Sequence, residues 1–142
     1  MRSVGSTAIG LALAALLAGV AAGPSLARAS ASLRELVKSE PYRTAWGQMV
    51  GKERNLPSWI KDFAVTGEGA NTPAQMVPVG RQAYLLATLC MGQDCAAHKL
   101  YVVFSPDGSK AFGELVETGK EPRWLGRPDA AVRAAVKEAQ GQ

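Results

Sequence analysis

Hydrophobic spacing divides the chain into a helical first half and an extended second half. After an uncharged apolar run at residues 9–22, the stretch "SLRE" (32–35) fits a capping box, with Ser32 accepting from a first-turn amide and Glu35 reaching back. A short helix is predicted to about Lys38. Pro41 suits a first helical position, and Tyr42, Ala45, Trp46 and Met49 share one face of a second helix that ends near Gly51. "LPSWIKDF" predicts another turn or two, with Trp59, Ile60 and Phe63 apolar; Trp46 and Trp59 read as core. Residues 67–73, rich in Gly, Asn, Thr and Pro, read as a loop. The period then becomes extended. "AQMVPV" and "QAYLLATLC" predict two strands around Gly80-Arg81, with Pro78 placing the first at an edge. "HKLYVVFS" and "KAFGELVE" predict two more strands around the turn "PDGS", and Trp124-Leu125 a short fifth. A last helix is predicted over residues 129–139, apolar at Ala130, Val132, Val136 and Ala139. The pattern predicts a single α+β domain, an antiparallel sheet of about five strands with helices packed on one face.

The amino-terminal run changes the picture of where this domain works. Arg2 followed by 14 uncharged residues at 9–22, ended by Pro24 and Arg28, has the form of a secretory signal peptide. It is shorter than the roughly 20 residues needed to span a bilayer, so no stable membrane span is expected after cleavage. Small residues permit cleavage after Ala29 or Ala31, the first being preferred. Residues 1–29 are thus read as the signal, and residues 30–142 as one domain of 113 residues directed to an oxidising space. Loss of Arg2 and Arg28 leaves 14 basic residues against 12 acidic ones, a formal charge of +2. That near-neutral balance, without a block of like charge, gives no support for nucleic-acid binding.

Both cysteines fall in "CMGQDC", Cys90 to Cys95. An oxidising compartment lets them pair. A six-residue ring is worth only about 2 kcal/mol by chain entropy, so its purpose is to fix the shape of Met91, Gly92, Gln93 and Asp94 at a hairpin tip. Asp94 can serve as a contact or as a cap on the loop's own amides. His98, the sole histidine, lies past the ring and reads as a residue at the base of the hairpin. Zinc is disfavoured, because Cys90, Cys95 and His98 offer three ligands without a fourth and a disulfide offers no thiolate. Four residues between the cysteines do not match the redox Cys-x-x-Cys spacing. Glu114 and Glu117 face opposite sides of a predicted strand and cannot act as a glycosidase pair. No cofactor, metal or catalytic activity is expected.

"YRTAWGQMVGKERNLPSWI", "TPAQMVPVGRQAYLLATLCMGQDCAAHKLYVVFS", "AFGELVE" and "RWLG", in this order, resemble the inhibitor of vertebrate lysozyme (Ivy) family over residues 42–126. The resemblance implies a periplasmic inhibitor whose disulfide-closed loop projects from the sheet and enters the active-site cleft of c-type lysozyme. There a central histidine meets the two catalytic carboxyl groups. It makes Cys90, Met91, Gly92, Gln93, Asp94 and Cys95 the target-binding loop. The family pattern Cys-Lys-Pro-His-Asp-Cys is kept here at Cys90, Asp94 and Cys95, whereas Met91, Gly92 and Gln93 replace Lys, Pro and His. Gln93 can donate hydrogen bonds but carries no charge, and Gly92 is expected to loosen the loop. The departures point to weaker inhibition of c-type lysozyme or to a bacterial lytic transglycosylase as target; a non-inhibitory paralog with another envelope partner is the remaining alternative. A homodimer is compatible with the resemblance.

Overall fold

The computed structural model describes residues 26–141; the expected apolar signal run at 9–22 lies outside the described residues. Six helices, α1 (Leu26–Ala29), α2 (Leu33–Leu36), α3 (Tyr42–Gly51), α4 (Ser58–Lys61), α5 (Phe63–Thr66) and α6 (Ala130–Ala139), accompany six strands. The strands are β1 (Ala70–Asn71), β2 (Gln75–Val79), β3 (Gln82–Met91), β4 (Asp94–Phe104), β5 (Ala111–Glu117) and β6 (Arg123–Leu125). They form one antiparallel sheet in the order β1-β3-β4-β5-β6, with β2 beside β1 on the same flank of β3. The strand beyond the expected five is β1, cut from the Gly- and Pro-rich loop.

Local signals act as anticipated. Ser32 and Glu35 close the capping box of α2, and Asp129 caps α6 by accepting from the Val132 amide at 2.9 Å. Pro41 stands one position earlier than expected, as the N-cap of α3. One sheet face presents Leu85, Leu89, Leu100, Val102 and Phe104 to Leu33, Leu36, Trp46, Ile60 and Phe63 of α2 to α5. Tyr42 meets Phe104 edge-on at 5.1 Å, and Trp46 meets Phe63 at 5.6 Å. Trp59 is half-buried against this core.

Helices occupy one face as far as α5; α6 lies on the other. Its Val132 and Val136 pack with Val77, Leu86 and Val103, beside Tyr101, Phe112 and Trp124. The reason is visible in β3 and β4, which are apolar on consecutive residues (Leu85 with Leu86, Val102 with Val103) and so leave a second face to be covered. Val132, Ala135 and Val136 supply a buried stripe, while Ala130 and Ala139 remain exposed. Glu114 is also on this face and fully buried beneath the last turn of α6, with Lys137 Nζ 2.5 Å from its Oε1 and Gln140 Nε2 donating to its Oε2 at 2.5 Å.

The turn between β4 and β5 is tied by Asp107. Its Oδ1 accepts from the Ser109 amide, the Ser109 hydroxyl and the Ser105 hydroxyl at 3.0, 2.7 and 2.8 Å. These bonds, the Ser109 amide first, hold its carboxyl down from 3.8 to about 2. A depressed acid stabilises the fold above its unfolded value and loses that contribution as pH falls through its folded value. The urea midpoint of Asp107→Asn should therefore lie below wild type at neutral pH, and the gap should close between pH 3.8 and about 2. An unchanged gap at the acid end would remove the turn from acid sensitivity.

Candidate functional site: the disulfide-closed hairpin tip

Met91 pairs with Asp94, so Gly92 and Gln93 form a two-residue turn between β3 and β4. Gly92 has φ 56° and Gln93 does not share that sign, the Gly-first arrangement of a type II′ hairpin. A proline, fixed near φ −65°, cannot adopt the conformation of Gly92. Gly92 is thus the residue type that the backbone of this turn accepts without strain.

The Cys90–Cys95 disulfide closes the ring across the hairpin, with Cα atoms 4.8 Å apart. Below it the register jumps. Cys90 pairs with Lys99, so residues 95–98 form a bulge on β4 that has no counterpart on β3. This bulge leans on β5: the Thr118 amide donates to Ala97 O at 2.9 Å, and His98 pairs with Glu117. Asp94 Oδ1 accepts from the Ala97 amide at 3.1 Å, so Asp94 caps the loop, with its second carboxylate oxygen left over. On the opposite flank the Ala70 amide donates to Gly92 O at 2.9 Å. Gly69 allows that approach, since a Cβ there would stand 2.5 Å from Cys90 O. The tip is therefore held by the disulfide, by β1 and by the bulge.

Cys90 is buried and Met91 and Cys95 are partly covered, whereas Gly92, Gln93 and Asp94 are exposed at the apex. His98 is not there. Its Nδ1 lies 3.4 Å from Glu117 Oε1, and the other Glu117 oxygen meets Lys120 Nζ at 3.1 Å. The apex thus carries one formal charge, that of Asp94, and one strong side-chain donor, the Gln93 amide. Among the described residues no cluster of His, Cys, Asp or Glu is placed to hold a metal. Sequence reasoning missed β1 and the bulge. The signals were Gly69, a glycine at a close approach, and the four residues that separate Cys95 from the apolar strand.

Residues 41–142 match the family described as inhibitor of vertebrate lysozyme (Ivy). An uncharacterised protein of Pseudomonas aeruginosa is 33% identical over 141 residues, covering 87% of this chain and 88% of its own. One of Yersinia pestis is 27% identical over 125 residues, covering 80% and 79%. The inhibitor of vertebrate lysozyme of Escherichia coli K12 is 28% identical over 102 residues, covering 72% of this chain and 61% of its own. With the fold and the disulfide-closed hairpin in place, the match over residues 41–142 shows that the chain belongs to the inhibitor of vertebrate lysozyme family.

Proposed function

We propose that the chain is a periplasmic inhibitor of c-type lysozyme or a related muramidase, and that it acts by inserting residues 91–94 into the active-site cleft. The observation that carries this reading is the tip itself, a hairpin held on both flanks with an exposed amide donor at its apex. A loop ordered before binding loses less entropy on association than a floppy one. The reacting centre of a glycosidase offers a carboxylic acid and a carboxylate. The Gln93 amide can donate to both oxygens, and Met91 adds an apolar flank. The signal peptide over residues 1–29 takes the domain of residues 30–142 to the periplasm. Among the described residues no helix is long and apolar enough to cross a membrane.

Titrating the oxidised protein into a peptidoglycan suspension being lysed by c-type lysozyme tests this reading. Lysis should slow, and reduction of Cys90–Cys95 should relieve most of the inhibition while lowering stability by only about 2 kcal/mol. Inhibition that survives reduction unchanged would take the ordered loop out of the mechanism. A second reading keeps the fold and the tip but makes a bacterial lytic transglycosylase the target. It is favoured by the absence of a cation at the apex. It expects slowing of a purified transglycosylase and little effect on c-type lysozyme.

A further inference from the structure

His98 closes the bulge that carries the tip, and the action proposed for the tip does not use it. Apart from the disulfide, residues 95–98 have no partner on β3, so their cross-strand hold comes from β5. It consists of the Thr118 amide on Ala97 O at 2.9 Å and the pairing of His98 with Glu117. Strand alternation puts both side chains on the face that carries Leu100 and Leu115. There His98 Nδ1 is cut off from water, 3.4 Å from Glu117 Oε1 but not aligned with it as a hydrogen bond. A buried ring nitrogen left unbonded is costly. Uptake of a second proton reverses the sign, because both ring nitrogens then donate and the ring's charge opposes that of the carboxylate.

The other charges around the pair are turned elsewhere or already shared. Lys120, in the turn after β5, holds the second Glu117 oxygen at 3.1 Å and leaves the first to His98, while Glu121 of the same turn is exposed. Arg123 of β6, level with Leu115, is drawn to Glu53 at 3.1 Å. Lys99 follows His98 on β4 and so faces the opposite side, with Nζ 5.5 Å from the centre of the Tyr101 ring. Asp94 is turned to the Ala97 amide, and β3 contains no charged residue.

We infer that His98 and Glu117 are positioning residues of the tip, and that protonation of His98 draws the bulge onto β5, stiffens the Gly92-Gln93 turn and makes the loop hold its target more tightly in acid. The effect on binding rests on the reading of residues 91–94 as the target-binding loop; the effect on order does not. A loop stiffened before association loses less entropy when it binds. With side chains 31% and 13% exposed the pair is partly screened by solvent, which sets the expected gain at about threefold.

The test compares wild type, His98→Gln and Glu117→Gln at about pH 5.5 and about pH 7.5, within the range where a histidine changes charge. Glu117→Gln keeps an oxygen that can accept from His98 but removes the charge that attracts it. One readout needs no target: the order of the Ala97 and Met91 methyl groups in the oxidised protein, from carbon-13 relaxation. Order should rise toward acid in wild type and stay level in both variants. The second is the concentration that half-inhibits c-type lysozyme, taken as the ratio of wild type to His98→Gln so that the enzyme's own pH dependence cancels. Wild type should gain about threefold on the variant at the acid end. Order that ignores pH, or that responds equally in His98→Gln or Glu117→Gln, would overturn the assignment even where lysozyme is inhibited, and so would a level ratio. Order that follows His98 in a protein that inhibits no lysozyme would uphold the positioning role and count against lysozyme as target alone.

Discussion

Gln93→His is expected to strengthen inhibition of c-type lysozyme roughly tenfold without disturbing the hairpin. The substitution falls at the second central position of the Gly92-Gln93 turn, where φ is not positive, so a histidine meets no backbone strain. The side chain is exposed at the apex, so none of the packing around Cys90 changes. What changes is the donor. Both donors meet an ionised acceptor, but the neutral amide carries no charge of its own, whereas an imidazolium adds an opposite full charge, and about 1.4 kcal/mol of added attraction is the tenfold expected. The gain should grow as pH falls through the ordinary histidine value near 6.5, because only the protonated ring carries the charge. Inhibitor concentration for half-maximal slowing of lysis, measured at two pH values for both proteins, reads the effect. If Gln93→His inhibits no better at either pH, the apex does not meet the catalytic carboxyl groups. If wild type is inert and the variant inhibits, the scaffold is competent, and the natural target is to be sought among lytic transglycosylases.

Much of this geometry is legible in the sequence because it is set by local chemistry. Ser32 with Glu35, Pro41, Pro78, "PDGS" and Asp129 each specify a cap, a boundary, an edge or a turn within a few residues of themselves. The cysteine spacing likewise places the tip. What stays hidden depends on partners distant in sequence. The two-residue β1 has too little pattern to be seen, and it exists because Gly69 lets Ala70 reach Gly92. The bulge at residues 95–98 depends on Thr118 and Glu117 of the neighbouring strand. The placement of α6 required reading the consecutive apolar residues of β3 and β4 as a sheet covered on both faces. Glu114 could be read from its strand only as facing away from Glu117; that it is buried under α6 is a tertiary fact.

The largest loss of stability is expected from Lys137→Met, about 3 kcal/mol, and it should exceed the loss from Glu114→Met. The asymmetry follows from where the two charges can go. Glu114 has no exposed surface, and the carboxylate lies under the carboxy-terminal turn of α6, where the helix dipole disfavours negative charge. Without Lys137 its only side-chain partner among the described residues is the Gln140 amide, and an unpaired buried charge costs about 3–5 kcal/mol. The remaining amide bond places the cost at the lower end. Lys137 has a side chain 36% exposed, so without Glu114 its ammonium can turn to water while its stem still covers apolar surface. Removing both charges as Glu114→Met/Lys137→Met should restore stability to near wild type, since an apolar pair of similar length avoids the desolvation that the ion pair must offset. Urea unfolding of the four proteins closes the cycle, and amide exchange along α6 shows whether the loss is local to Val132 and Val136 or spreads to the sheet. Equal losses from the two single substitutions would mean that Glu114 reaches solvent. A double variant as weak as Lys137→Met would show that packing, and not the buried charge, holds α6 on its face of the sheet.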